Sequence, residues 1–147
     1  MTRGRGPRAG RAPAASTFQA LLSAARAVRR QAHAPYSRFQ VGAAVLDEAG
    51  RIHVGCNVEN ASYGLSVCAE RNAVWKAVSE GERDLVAIAI TARQGHGAPP
   101  CGSCRQVLQE FAPKIMVCWR DGRGRLLKRR LPQLLPVPFA FPERLKR

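Results

Sequence analysis

The sequence predicts an α/β fold: a single mixed β-sheet of about five strands, sandwiched by helices. Three observations carry that expectation. The chain has 147 residues, 46% of them apolar, which suits one domain that buries about two thirds of its unfolded surface. Short apolar runs alternate with helical periodicity in the order helix, hairpin, helix, strand, helix, strand, strand. Two strand–helix–strand steps in that order ask for parallel pairing with right-handed crossovers.

The elements follow in turn. Residues 1–15 contain only Arg, Gly, Pro, Ala, Met and Thr, too little apolar surface to offset the entropy of ordering them. A disordered basic tail is expected there. Order begins at Ser16, where Ser16 and Gln19 have capping-box spacing and Phe18, Leu21, Leu22, Ala25 and Val28 recur at helical intervals. That helix stops before Pro35. Residues 39–46 and 51–58 read as strands of a hairpin around Asp47-Glu48-Ala49-Gly50. Residues 68–80 read as a helix with Gly81 as its stop, and 85–91 as a buried strand. A helix over 102–111 closes before Pro113. A strand over 115–119, an Asp121-Gly122 turn and a return strand near Leu126 and Leu127 come next, then a last helical turn over 131–135. The domain is thus 16–142, with 143–147 a second basic tail. The longest purely aliphatic run, Leu85 to Ile90, has six residues, against roughly 18 for a membrane span. No membrane association is expected.

Net charge is +14, and its placement governs its meaning. Residues 1–38 carry eight Arg and no acid, and 120–147 carry nine basic and two acidic residues. The stretch 39–119 is near neutral, with seven basic against eight acidic residues. A basic periphery attracts nucleic acid through counterion release. The plainer expectation is a solvated tail and an exposed basic strand, so nucleic-acid binding by the tails is not expected to be the function. The first residues are Arg-rich, but Gly and Pro spoil a targeting helix, and no secretory pattern opens the chain. A cytoplasmic location is expected.

Five cysteines stand at 56, 68, 101, 104 and 118. Without an oxidising compartment, clustered cysteines read first as metal or redox chemistry. Cys101-Gly102-Ser103-Cys104 alone suits a redox dithiol as well as zinc. Pro100 precedes it and a helix follows, so both thiols sit where the helix dipole favours thiolate. Cys68-Ala69-Glu70 also opens a helix. Two such helix starts at the same end of parallel strands can converge on one ion. Three cysteines leave one tetrahedral position open, the mark of a catalytic rather than a structural zinc. Glu70 then stands close to the metal's water without ligating it. Zinc lowers the pKa of that water to about 7; three thiolates oppose the effect, and Arg71 is the expected counter-charge. A closed structural site would need a fourth ligand from Cys56, Cys118, His33, His53 or His96, and would leave Glu70 and Arg71 without a role. Cys56 and Cys118 read as small core residues, and the histidines as structural or exposed.

Cys68-Ala69-Glu70-Arg71 and Pro100-Cys101-Gly102-Ser103-Cys104-Arg105-Gln106 together resemble the cytidine deaminases that act on free nucleosides, whose Cys-x-Glu and P-C-x-x-C signature is already known for zinc deaminases. Cys as the first ligand is similar to their short, homotetrameric class. Pro35-Tyr36-Ser37, the run from Phe39 to Ala44, the run from Gly55 to Tyr63, and Leu134-Leu135-Pro136 with Phe139 match in the same order. The resemblance covers about residues 17–142. It implies one Zn²⁺ per subunit on Cys68, Cys101 and Cys104, with Glu70 as catalytic acid and base and Arg71 in support. It implies substrate contacts from Phe39 (against the pyrimidine), Asn57 and Glu59 (at the ribose 3′-hydroxyl), Ala69, and Phe139 delivered by a neighbouring subunit. Ala61 and Tyr63 resemble residues near the subunit contact. The implied reaction is hydrolytic deamination of cytidine and 2′-deoxycytidine to the uridines with release of ammonia, in pyrimidine salvage, without an organic cofactor. Pro99, Pro132 and Gln133 depart from the family pattern, and the Arg-rich 120–130 segment and the basic tail are not family features.

Three rivals differ in what they need. A polynucleotide deaminase fits the charge, but Glu59 at the 3′-hydroxyl would repel a 3′-phosphate. A deaminase of a related nucleoside antibiotic, such as blasticidin, does not account for the full Asn57-Val58-Glu59-Asn60 stretch. A non-catalytic zinc-stabilised nucleic-acid-binding module has no use for Glu70.

Overall fold

The computed structural model describes residues 13–93 and 97–142. Of the tail expected at 1–15, residues 1–12 lie outside the described residues, as do 143–147 and His96, while Ala15 already belongs to the first helix. Helix α1 (Ala15–Arg29) leads to strands β1 (Val41–Asp47) and β2 (Ile52–Cys56), then a short 3-10 turn at Tyr63–Leu65. Helix α2 (Ala69–Ser79), β3 (Leu85–Ala92), α3 (Gly102–Phe111), β4 (Met116–Arg120), β5 (Leu126–Arg130) and α4 (Leu131–Leu134) complete the chain. The five strands form one mixed sheet in the order β2-β1-β3-β4-β5.

The sheet is covered on both faces, and the alternation of its side chains shows how. Ala44, Leu46, Ala87, Ala89 and Cys118 pack with Phe18, Leu21, Leu22 and Ala25 of α1. Their neighbours Ala43, Val45, Ile88, Ile90, Val117 and Trp119 point the other way, onto Ala73, Val74, Ala77 and Leu108 of α2 and α3. A strand buried on both faces reads as a continuous apolar run, as β1 and β3 do.

Two expectations need correction. Only one strand–helix–strand step pairs its own strands in parallel: β3 and β4, from Ala87 opposite Met116 to Ile90 opposite Trp119. In the other, β2 and β3 share a direction but β1 lies between them, antiparallel to both. β1, buried from Gly42 to Asp47, needs neighbours on each side, whereas β2, with Ile52 exposed, tolerates the edge. The capping box also fails: the N-cap of α1 is Ala14, two residues before Ser16, without a side-chain cap. The Ala14 carbonyl accepts from the amides of Thr17 and Phe18, and the buried face of the helix supplies the stability that a cap would have added.

Elsewhere the punctuation holds. Gly81 follows α2 at φ +96°, a conformation that glycine adopts without penalty. At the sheet end away from the helix starts, Asp47 staples the hairpin. Its Oδ1 accepts from the Arg51 amide at 2.8 Å, and its Oδ2 lies 3.0 Å from His53 Nε2. His53 Nδ1 reaches Glu80 Oε2 at 2.6 Å, and Arg51 pairs with Glu82. His53 is therefore structural and buried.

Candidate metal centre and its surroundings

Cys68 occupies the N-cap position of α2, and Cys101 that of α3; neither makes a side-chain capping bond. Cys104 lies in the first turn of α3, buried. The crossing of two helix starts at one end of the sheet brings the three sulfurs within 4.8 Å of one another. Cys101 and Cys104 Sγ are 3.4 Å apart, and Cys68 and Cys101 Sγ 3.9 Å. The sulfur–sulfur edge of a zinc tetrahedron with 2.3 Å bonds is about 3.8 Å. The donor set fits zinc in number, spacing and softness.

Cys56 and Cys118 stand apart from this group. Cys118 is buried in the α1 layer, as expected. Cys56 is only half-buried on the edge strand β2, which corrects its assignment to the core: an edge position has no neighbour on its outer side.

The electrostatics favour thiolate at Cys68. Hydrogen bonds from the Cys104 thiol, then from Arg71 and Cys101, pull it down to about 5 against the effect of burial. Cys104, the partner that gives its proton to that bond, is pushed up. Arg71 Nη2 lies 3.7 Å from Cys68 Sγ and donates to the Ser66 carbonyl at 3.3 Å. The counter-charge expected from the sequence is thus in contact with the Cys68 sulfur. Its guanidinium also stacks over Trp75, 5.8 Å from the ring centre.

Glu70, two residues after the α2 N-cap, is 5% exposed. Burial, followed by the charge of Cys68, pushes its carboxyl up to about 7. A carboxyl poised near neutrality can take and give a proton in the same cycle. Ala69 beside it is fully buried because β2 passes very close: a Cβ on Gly55 would stand 2.7 Å from the Ala69 carbonyl oxygen.

The Asn57–Glu59 strand end is built into a loop. Asn57 Oδ1 accepts from the Val41 amide, and its Nδ2 donates to the Phe39 carbonyl, both at 2.8 Å. Glu59 Oε2 accepts from the amides of Tyr36 and Ser37 at 2.9 and 3.2 Å, while Oε1 accepts from the Ser37 hydroxyl. That hydroxyl, then the two amides, hold its carboxyl below the usual range despite partial desolvation. Both side chains position the 36–41 segment, and with it Phe39, which is half-buried. Arg38 enters the strand at φ +57°, a left-handed turn that sequence reading missed.

Tyr63 and Phe139 are not drawn into the crevice of their own chain. Tyr63 is 74% exposed, edge-on to Tyr36 at 5.7 Å, and Ala61 is exposed beside it. Phe139 is 70% exposed and packs edge-on against Phe141 at 5.6 Å. What the motif reading left without a role is how α3 holds this segment. Arg105 Nε donates to the Pro100 carbonyl and Nη1 to that of Leu134, at 2.9 and 2.7 Å. Gln106 Nε2 donates to the Phe139 carbonyl at 2.8 Å. Pro132 and Gln133 do not disturb the turn before it: Gln133 Oε1 accepts from the Arg130 amide at 2.8 Å.

The chain is similar to known proteins over most of its length. The sequence pattern of the cytidine and deoxycytidylate deaminase zinc-binding region matches residues 15–119. A cytidine deaminase of Halalkalibacterium halodurans is 48% identical over 122 residues, covering 82% of this chain and 92% of that protein. The crystal structure of a cytidine deaminase from Burkholderia pseudomallei superposes with a TM-score of 0.78 at 44% identity, over 82% of this chain and 98% of that one. That of Mycobacterium tuberculosis superposes at 0.74 with 42% identity, over 84% and 98%.

Proposed function

This chain belongs to the zinc-binding cytidine and deoxycytidylate deaminases, and on that premise we propose that it hydrolyses the C4 amino group of cytidine and 2′-deoxycytidine, releasing ammonia and the uridines. It is a hydrolase with a zinc cofactor. The observation that carries the reading is the placement of a buried Glu70 beside three cysteines that converge from two helix starts.

Cys68, Cys101 and Cys104 would hold the ion. Zinc, when bound, would supply an acidified water for the reaction. Glu70 takes one proton from the attacking water and delivers it to N3 of the ring. It then takes the second from the hydroxyl added at C4 and gives it to the departing amine, so that both water protons are accounted for. Its carboxyl, raised to about 7, suits both directions of transfer. Arg71 offsets part of the negative charge of the three thiolates. Asn57 and Glu59 shape the ribose end of the pocket, each with capacity beyond the backbone bonds that hold it: one carboxylate or amide oxygen accepts more than one hydrogen bond. Phe39 and Ala69 line the base.

The proposal extends to a homotetramer in which Phe139 of one subunit closes the pocket of another. Its support is the exposure of Phe139, Tyr63, Leu65 and Trp75 in the single chain, a set of large apolar groups that assembly would cover. It further places the enzyme in pyrimidine salvage in the cytoplasm, where five unpaired cysteines remain reduced. Ammonia release from cytidine, 2′-deoxycytidine, cytosine, CMP and single-stranded DNA tests the reading. Turnover of the two nucleosides alone supports it; turnover of the polynucleotide, or of none, overturns it.

A further inference from the structure

The charge excess of the chain gathers at one place into a cavity. About 670 Å³ opens between the last turn of α1, the ends of β3 and β4, and the β4–β5 turn. Arg26 and Arg29 line it from α1, Arg93 from beyond β3, and Arg120 and Arg123 from β4 and the turn. The cysteines head helices packed on the other face of the sheet, so this cavity is separate from the metal centre.

Asp121 is the acidic residue on the wall, and it is already committed. Its Oδ2 accepts from Arg125 Nε at 2.7 Å, and its Oδ1 from the amides of Arg123 and Arg125 at 2.9 Å. Arg29 and Arg120 each give one guanidinium N–H to a backbone carbonyl, of Ala92 and Gly124. This orients both forks and leaves their other donors over. Among the described residues, the side chains of Arg26, Arg93 and Arg123 have no hydrogen-bond or ion-pair partner. Thr91 also lines the wall, and its Oγ1 is buried without a hydrogen-bond partner. A buried hydroxyl without a partner is uncommon enough to require a reason.

Five guanidiniums in one concavity repel one another, and low-dielectric walls focus their field. Complementing the carbonyl end of the α1 dipole accounts for Arg26 and Arg29. It leaves Arg93, Arg120, Arg123 and the Thr91 hydroxyl unexplained. An oxyanion answers all of them.

We infer that this cavity binds a chain of phosphate groups, a di- or triphosphate. Guanidinium forks match phosphate oxygens two at a time, and the Thr91 hydroxyl supplies a further donor. The volume is that of a small-molecule site. A polynucleotide instead tracks an extended basic groove with aromatic stacking platforms, and among the described residues no aromatic side chain lines this cavity. The bound species is therefore a small polyphosphate, inorganic or carried by a nucleoside.

Calorimetric titration of the full-length zinc enzyme with inorganic triphosphate, at fixed ionic strength, tests the site. One saturable event per subunit is expected. The double variant Arg26→Gln/Arg123→Gln should weaken it about tenfold or more, and Thr91→Val severalfold. Lys114→Gln/Arg129→Gln, the same charge change elsewhere on the surface, should leave it unaltered. All these variants should deaminate cytidine normally in phosphate-free buffer, which shows that each is folded. Equal affinity for inorganic and nucleoside triphosphates assigns the phosphate chain alone. Tighter nucleoside triphosphate binding that is still lost in the Arg26/Arg123 variant assigns a nucleotide. Absence of saturable binding, equal weakening in the surface control, or an oligonucleotide that binds more tightly than triphosphate and ignores the cavity substitutions each overturns the site.

Discussion

The side-chain amide of Gln106 donates to the backbone carbonyl of Phe139 at 2.8 Å. The helix that presents Cys101 and Cys104 in its first turn therefore also anchors the C-terminal segment. Arg105, between Cys104 and Gln106, ties the same helix to Leu134 and back to Pro100. Cys101, Cys104 and the segment carrying Phe139 are thus referenced to one rigid element, which keeps their relative placement independent of the loops between them.

Removing that anchor should loosen substrate binding before chemistry. Gln106→Ala loses one hydrogen bond, worth about 1 kcal/mol, so KM for cytidine should rise about fivefold with zinc content unchanged. Gln106→Glu, which cannot donate, should resemble the alanine variant. Steady-state kinetics beside metal analysis check both; a pure loss of zinc would refute the anchoring role.

Glu70→Gln keeps the shape of the buried side chain and removes its proton chemistry. Turnover should fall by at least about a hundredfold, the lower range of general acid–base contributions, while zinc stays bound. Near-normal turnover of the zinc-loaded variant would reject the assignment.

Cys104 is the buried member of the sulfur cluster, so Cys104→Ala cannot be compensated by water at that corner. Zinc measured by mass spectrometry should drop well below one per subunit, and activity with it. Treating the native enzyme with a chelator should have the same effect, reversed by added zinc.

Gly55 allows the edge strand to approach α2. A Cβ there would stand 2.4 Å from the Ala73 amide nitrogen and 2.7 Å from the Ala69 carbonyl oxygen, both backbone atoms that cannot swing aside. Gly55→Ala should cost about 1–3 kcal/mol and lower Tm by several degrees. Because Ala69 follows Cys68, zinc affinity should weaken too, which a competition titration would detect.

The hairpin staple predicts a pH effect on stability. Burial alone would raise the Asp47 carboxyl; the His53 hydrogen bond, the Arg51 amide and the charges of both residues outweigh it and hold it below its ordinary 3.8. Glu80 and Glu82 face the same group only through His53 and Arg51. A depressed carboxyl adds stability above its unfolded pKa and loses it as pH falls through the folded one. Asp47→Asn should therefore be less stable than the native chain at neutral pH, with a gap that narrows below about pH 4. Thermal melts across that range, with cytidine turnover unchanged at neutral pH, would show it.

The convergence of the three cysteines beside Glu70 was legible because its signal is local. Cys68, Glu70, Cys101 and Cys104 each lie within a turn of a helix start, and helix starts are written in short-range spacing. The same holds for Gly81 after α2, and for the apolar β1 and β3. Pairing was not local. That β1 intervenes between β2 and β3 depends on which strand can bear an exposed face, a comparison between segments that no single window contains. The start of α1 behind Ala14 was decided likewise by the burial of Phe18 and Leu22 against the sheet, not by the nearest polar residue. Gln106 reaching Phe139, the His53 bridge from Asp47 to Glu80, and five arginines around one cavity join positions up to dozens of residues apart. Spacing specifies which side chains a helix turn presents; only the packed sheet brings distant turns within hydrogen-bond reach, because the hydrophobic burial that sets those distances is a property of the whole chain.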